Sequence, residues 1–384
     1  MSSNGWKEVT LNDIAYLNYG KSLIANDRKK GSIPVYSSSG ITGQHDKALV
    51  NEEGIIIGRK GNVGSVFYSN QPFYCIDTAY YIKKSEIICD IKYLYYLLKT
   101  LRLDRLNEDS AVPGLNRDTA HSQTFFYPES IETQRRIADI LSALDDKIEL
   151  NRQTNATLEA IAQAIFKEWF VDFNFPGATG ELVESELGMI PKGWKITKLG
   201  EILDIKGGTT PSTKVPEYWN GEFSFATPKD LSSNHSLFLL KTDRKITSKG
   251  VNQISSGTLP SGTLLLSSRA PIGYLAISDI PVSVNQGFIA INAKEISNIF
   301  ILLWLKNNIE TVIGRANGST FLEISKSNFR EIKIILPDKK TIYLFEKLIL
   351  PFFDYIKINE KQIISLATIR DNLLPKLMNG EIEV

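Results

Sequence analysis

The sequence predicts an α+β chain of two duplicated β-rich domains joined by two long, antiparallel coiled-coil helices. Three observations predict it. Segments far apart in the chain match at one nearly constant offset, a heptad seam occurs twice in one register, and the remaining residues form short β-rich runs broken by Gly or Pro.

The repeat is clearest where Gly64-Ser-Val-Phe-Tyr-Ser-Asn-Gln-Pro72 meets Gly273-Tyr-Leu-Ala-Ile-Ser-Asp-Ile-Pro281 at an offset of 209. Ile82 meets Ile291 and Pro128 meets Pro337 at the same offset, and Arg59 and Arg269 precede the glycines at nearly that spacing. Upstream, Gly5-Trp6-Lys7 recurs as Gly193-Trp194-Lys195 at an offset of 188, so the second copy holds about 20 extra residues before the shared core. A period this long means duplicated domains rather than a solenoid.

The seam runs through Ile137, Leu141, Leu144, Ile148, Asn151, Asn155, Leu158, Ala162, Ile165 and Trp169. Adding 208 gives Phe345, Ile349, Phe352, Ile356, Asn359, Ile363, Leu366, Arg370 and Leu373. Each pattern predicts a rod of about 60 Å at 1.5 Å per residue. Leu144, Ile148, Asn151, Leu158, Phe352, Ile356, Asn359 and Leu366 are the expected pairing residues. Asn151 and Asn359, at equivalent positions, are expected near the crossing, where a polar seam residue fixes register; the alternative is an asparagine facing solvent at a helix end. Pro351 predicts a kink, or a helix starting just before it.

The division that follows is a first domain at 1–130, a central helix at 131–175, an acidic linker at 176–190, a second domain at 191–338 and a C-terminal helix at 339–384. Val9–Tyr19, Gly54–Ile57, Ser65–Tyr68 and Thr78–Ile82 read as strands, Lys92–Leu106 and Asn298–Ile313 as helices.

Composition narrows function. The 384 residues carry 44 Lys+Arg and 43 Asp+Glu, net +1, which excludes a globally basic nucleic-acid coat and a strongly acidic disordered chain. By segment the balance is +1 over 1–130, −6 over 131–190, +5 over 191–338 and +1 over 339–384. Two cysteines and three histidines supply neither a disulfide framework nor a metal cluster. The start lacks a signal-peptide pattern and the longest apolar run, Ile299–Leu305, is seven residues, so a cytoplasmic chain is expected.

Catalytic patterns fail on inspection. Asn70-Gln-Pro-Phe73 approaches an amino-methyltransferase element, but its counterpart is Asp279-Ile-Pro-Val282 and no cofactor loop precedes it. Gly58-Arg-Lys-Gly61-Asn-Val-Gly64-Ser65 lacks the Gly-Lys-Ser/Thr ending of a phosphate loop. Glu331-Ile-Lys333 has no partner acid at convincing spacing. No catalytic residue and no metal ligand is assigned.

Binding remains. Gly-bounded loops carry the side chains that contact phosphates and base edges. In the first copy the candidates are Lys21, Arg28, Lys29, Lys30, Ser37-Ser38-Ser39, Gln44, Arg59, Lys60, Asn116 and Arg117. In the second they are Thr209, Thr210, Ser212, Lys214, Thr227, Lys229, Arg269, Arg315, Asn317 and Ser319. A non-DNA scaffold whose two domains bind proteins is the alternative.

Further motifs stand in a familiar order: Gly207-Gly-Thr-Thr-Pro-Ser212, Glu217-Tyr-Trp-Asn-Gly221, Thr227-Pro-Lys-Asp-Leu231, Ser267-Ser-Arg-Ala-Pro-Ile-Gly273, Asn285-Gln-Gly-Phe288 and Gly318-Ser-Thr-Phe321. Gln134-Arg-Arg-Ile137, Phe166-Lys-Glu-Trp-Phe-Val-Asp-Phe173 and Leu377-Met-Asn-Gly-Glu-Ile join them. Over almost its whole length the sequence resembles the specificity subunits of type I restriction–modification systems. The resemblance implies two target-recognition domains, each reading half of a bipartite double-stranded DNA site. It implies helices that set the spacer and dock two modification (methyltransferase) subunits, with restriction (translocase/nuclease) subunits as further partners. No cofactor is expected on this chain; S-adenosylmethionine, ATP and Mg would sit on the partner subunits. Asp338-Lys-Lys-Thr-Ile-Tyr-Leu-Phe345 lacks the pair seen at Gln134-Arg135, so its docking contacts are expected to differ.

Overall fold

A computed structural model describes residues 5–106, 114–232, 236–269, 271–318 and 322–384. The chain forms two compact units, residues 1–149 with 364–384 and residues 150–363. Each unit takes one β-rich domain with parts of both long helices.

In the first unit a four-stranded antiparallel sheet runs in the order Asn18–Tyr19, Ala79–Lys83, Gly54–Gly58, Val66–Ser69. Its inner face carries Ile55, Ile57, Tyr80 and Ile82, which pack against the helix Ile91–Thr100 through Leu94, Leu97 and Leu98. A second sheet orders Gly40–His45, Ile33–Ser37 and Tyr74–Cys75. The expected strand Val9–Tyr19 is divided. Thr10 and the Asp13 carboxylate cap each other reciprocally, which turns Leu11–Ile14 into a short helix between Trp6–Thr10 and Asn18–Tyr19.

The second unit repeats this plan with a five-stranded sheet ordered Leu203–Gly207, Phe288–Ala293, Leu264–Ser268, Ile272–Ser278, Phe238–Leu239. Register confirms the duplication: Ile57 pairs with Tyr80 as Leu266 pairs with Ile289, and Val50 bridges Phe73 as Leu259 bridges Val282. The extra residues are now placed. Val35 pairs with Tyr74 as Phe225 pairs with Ser283, so the offset is still short at Phe225 and reaches 209 by Leu259. Between them the insertion builds the helix Pro228–Ser232 and the fifth strand Phe238–Leu239, added parallel to Ile272–Ser278.

The long helices span Ile131–Phe170 and Lys339–Met378, 40 residues each. Within each unit they pack together antiparallel. In the first unit Arg370 Nη1 meets Asp145 Oδ1 at 2.5 Å. In the second, Asn151 Nδ2 donates to Gln362 Oε1 (3.2 Å), Asn155 Nδ2 to Glu360 Oε1 (3.2 Å) and Asn359 Nδ2 to Asn155 Oδ1 (2.8 Å). The seam asparagines are therefore buried and not solvent-facing. The partner of Asn359 is Asn155 rather than its sequence equivalent Asn151. Ile148 and Ile356 are buried in the seam, and Leu144, Leu158, Phe352 and Leu366 are half-buried.

Pro351 does not interrupt the second helix. It lies exposed, as does Lys347, whose carbonyl loses its donor, so water can replace the missing bond. The expected linker also carries structure. Leu182–Ser185 and Gly188–Pro191 form a hairpin whose turn is closed by Ser185 Oγ donating to Gly188 O (2.5 Å), with Gly188 at φ +95°. The central helix ends at Phe170, and Phe173 and Phe175 then pack on Trp194.

Asn359→Ala is expected to destabilise the second unit by about 1–3 kcal/mol, because it leaves the buried Asn155 oxygen without a donor. Denaturant unfolding measures it, and a loss near zero would show that water serves Asn155 equally well.

Candidate nucleic-acid interface

In both units several of the candidate loops meet at one end of the larger sheet. There the strands Asn18–Tyr19 and Gly54–Gly58 end and Ala79–Lys83 begins, just as Leu203–Gly207 and Leu264–Ser268 end and Phe288–Ala293 begins in the duplicate. The backbone is pulled tight at this end. A Cβ at Gly20 would lie 2.0 Å from Ile76 O, and one at Gly208 would lie 1.6 Å from Val284 O, so only glycine fits either position.

Pairing corrects which residues are equivalent. Leu115 N donates to Arg59 O (2.8 Å), and Ile324 N donates to Ser268 O (3.0 Å). Lys60 bridges Gly114 as Arg269 bridges Glu323. The counterpart of Arg269 is therefore Lys60, and that of Arg59 is Ser268; the sequence match was one residue out. Asn116 and Ser325 cap equivalent short helices, Arg117–His121 and Lys326–Arg330, which makes Lys326 the counterpart of Arg117.

In the first unit Arg59, Lys60, Asn116 and Arg117 come together. Asn116 Oδ1 caps the short helix, accepting from Asp118 N (2.8 Å) and Thr119 N (3.2 Å). Arg117 Nη1 donates to Tyr16 Oη at 2.8 Å. Burial, then the hydrogen bond with Tyr19, pushes the Tyr80 phenol up to about 12, and its hydroxyl donates to Leu115 O (3.0 Å). Lys21 follows Gly20 and is exposed, its N–H held by Cys75 O.

The other first-unit candidates lie on or beside the Ile33–His45 hairpin. Arg28 Nη1 donates to Thr42 O (2.7 Å) and Lys29 N to His45 Nδ1 (3.1 Å), while Lys30 and Gln44 are exposed. The Ser37-Ser38-Ser39 turn touches the glycine-rich loop, with Ser65 Oγ donating to Ser38 O (2.6 Å) and Asn62 Nδ2 to Ser39 Oγ (3.2 Å).

In the second unit Arg269 and Asn317 both meet Glu323: Arg269 Nη1 is 3.6 Å from its carboxylate, and Asn317 exchanges backbone bonds with it. Thr209 Oγ1 donates to Gln253 O (2.9 Å) and Thr210 Oγ1 to Gln286 Oε1 (2.6 Å). Thr227 donates its N–H and its hydroxyl to Asp230 Oδ2, both at 2.8 Å. Lys229, on the Pro228–Ser232 helix, is exposed. Ser212 O accepts from Trp219 Nε1 (3.0 Å), whose ring lies 3.6 Å beneath the Arg244 guanidinium; Lys214 is exposed nearby in sequence. Arg315 is exposed and its carbonyl accepts from Asn328 Nδ2 (3.0 Å). Ser319 lies outside the described residues.

Sequence reasoning missed Tyr16, Tyr19, Tyr80, Arg244, Gln286 and Lys326. The offset of 209, applied to Arg117, would have found Lys326; the tyrosines gave no polar signal. Among the described residues no cluster of His, Cys, Asp or Glu could hold a metal ion, and no helix is long and apolar enough to cross a membrane.

His121 supports this loop end. Leu17 N donates to its Nε2 at 3.1 Å, and burial, then the Arg117 charge, lowers its pKa from the ordinary 6.5. The folded state therefore binds fewer protons than the unfolded one below pH 6.5, so stability falls as pH falls and is fully present above that value. First-unit unfolding temperature should drop between pH 7 and 5 and flatten in His121→Gln, which accepts the same bond without titrating; an unchanged slope in that variant contradicts the assignment.

The profile of the type I restriction modification DNA specificity domain matches residues 3–160 and 191–367. The "Type I restriction enzyme HindI specificity subunit" of Haemophilus influenzae is 27% identical over a 464-residue alignment covering 98% of this chain and 99% of that protein. The "Type I restriction enzyme MjaIX specificity subunit" of Methanocaldococcus jannaschii is 38% identical over 185 residues, 47% of this chain and 43% of that protein, so that match spans under half the relative's length. Among solved structures, the type I restriction–modification S subunit from M. genitalium shares the fold, with a TM-score of 0.64 and 18% identity over 98% of both chains.

Proposed function

The chain belongs to the type I restriction–modification DNA specificity family, and from that premise we propose that it is the DNA-sequence-specificity subunit of such a complex. Each domain reads one half of a bipartite site. The paired helices set the unread spacer and dock two modification subunits, which carry S-adenosylmethionine and methylate adenine. Restriction subunits, where present, bring ATP and Mg. The chain itself performs no catalysis and works in the cytoplasm, where the DNA is.

One observation carries this reading. Two equivalent sheet ends present cationic side chains at equivalent positions, Lys60 and Arg117 in one, Arg269 and Lys326 in the other. Arg/Lys contacts to phosphates would place each reader, and polar side chains beside them would read major-groove edges.

Arg269→Ala is expected to weaken binding to the cognate duplex by about 1–3 kcal/mol if it contacts a base. Titration with the modification subunits present checks this, and unchanged affinity removes Arg269 from the interface. A complex without any sequence preference on DNA would favour a protein-binding scaffold instead.

A further inference from the structure

Two arginines of the first unit converge on one tyrosine. The Arg59 guanidinium carbon lies 5.3 Å from the Tyr19 ring centroid and 5.9 Å from that of Tyr80. The Arg117 carbon lies 5.1 Å from the same Tyr19 ring and 5.2 Å from Tyr16. Like charges held around one ring repel, and a guanidinium over a ring keeps most of its donors for a ligand, Arg117 spending Nη1 on Tyr16 Oη. The Nε atoms of Arg59 and Arg117 are both buried without a hydrogen-bond partner. Neutralisation within the chain is slight. Arg117 Nε is 3.9 Å from Asp118, a side chain 89% exposed, and Arg59 has no carboxylate ion pair among the described residues. Tyr16 and Tyr19 are each about half exposed, so the group faces solvent.

We propose that Arg59, Tyr19 and Arg117 form a phosphate clamp, in which one DNA phosphodiester bridges the two guanidiniums while Tyr16 and Tyr19 hold them in place. This deepens the DNA-specificity reading and rests on it. The clamp positions the first reader and reads no base. It belongs to this unit alone. In the duplicate, Gly207 stands in the place of Tyr19, Ser268 in that of Arg59 and Lys326 in that of Arg117, and a Cβ at Gly207 would lie 2.5 Å from Lys326 Nζ. There a mobile point charge replaces a fixed planar pair. The segment charges fit this division: 191–338 carries +5, whereas 1–130, at +1, concentrates its grip in one fixed pair.

The test uses the full chain with its modification subunits, a duplex carrying the mapped methylation motif and a scrambled duplex, each titrated at several salt concentrations. The double variant Arg59→Gln/Arg117→Gln should lower the slope of log affinity against log salt by about 0.9, the loss of one phosphate contact, and each single glutamine variant should lower it by less. They should weaken both duplexes equally and leave discrimination unchanged. Arg59→Lys and Arg117→Lys should keep the slope and lose affinity, and they decide the matter if the glutamine variants unfold. An unchanged slope, or a loss confined to the motif duplex, overturns the clamp. If the unaltered complex binds both duplexes alike while the variants still lose slope, the clamp stands and the specificity reading fails; if it binds neither, both fall.

Discussion

Phe345→Ala is expected to destabilise the second unit by about 3–5 kcal/mol, the range for removing a fully buried aromatic ring. Phe345 is 0% exposed. Its ring sits 4.8 Å from Phe170, 5.7 Å from Trp169, 5.8 Å from Phe166 and 6.0 Å from Phe300. One side chain thus ties the second long helix to the first and to the helix Asn298–Asn307. The rings around it are themselves closely packed and buried, so the space left would be refilled only in part. Denaturant unfolding followed by tryptophan fluorescence should show it, because Trp169, Trp194, Trp219 and Trp304 all report on this unit. Ile349→Val, one methylene smaller in the same seam, should cost only about 0.5–1.5 kcal/mol. A Phe345→Ala loss below about 1 kcal/mol would contradict this account of the core.

Deleting residues 152–158 together with 356–362 should abolish methylation at the native DNA site while leaving both units folded. The two segments face each other, since Asn155 meets Asn359 and Glu360 within this stretch. Removing one heptad from each helix keeps the seam in phase to about 20° and shortens each rod by about 10 Å, or about three base pairs. If the helices set the unread spacer, methylation should move to sites whose half-sites lie closer by that amount. The measurement is adenine-methylation mapping of the deletion variant with its modification subunits. Retention of the original spacing would remove the helices from that role.

Much of the architecture was legible in the sequence because duplication and heptad spacing are long-range patterns that survive local ambiguity. The seam through Ile137, Leu141 and Ile148 and its copy through Phe345, Ile349 and Ile356 are buried as their spacing requires. Where one hydrogen bond decides the conformation, the pattern was silent. The Thr10–Asp13 cap divided an expected strand, and the Ser185–Gly188 turn made a hairpin of an expected linker. Pro351 misled because its cost depends on which face of the helix it occupies.

The candidate interface was legible by residue type but not by role. Arg59, Lys60, Arg117 and Arg269 stand at the sheet ends, yet only strand register revealed that Lys60, not Arg59, matches Arg269. Residue type alone did not show that Asn116 also caps a short helix or that Thr227 also bonds Asp230, because the same side-chain atoms suit base edges and local hydrogen bonds. Tyr16 and Tyr19 were invisible, because an exposed tyrosine gains meaning only from the arginines stacked on it.

The most direct test of the central claim is to replace residues 191–338 with the corresponding domain of another member of the family, co-express the hybrid with the modification subunits, and map methylated adenines. The account predicts that one half of the recognised motif changes while the other half is retained. A hybrid that alters both halves together, or an unaltered chain that directs methylation to no defined motif, would contradict it.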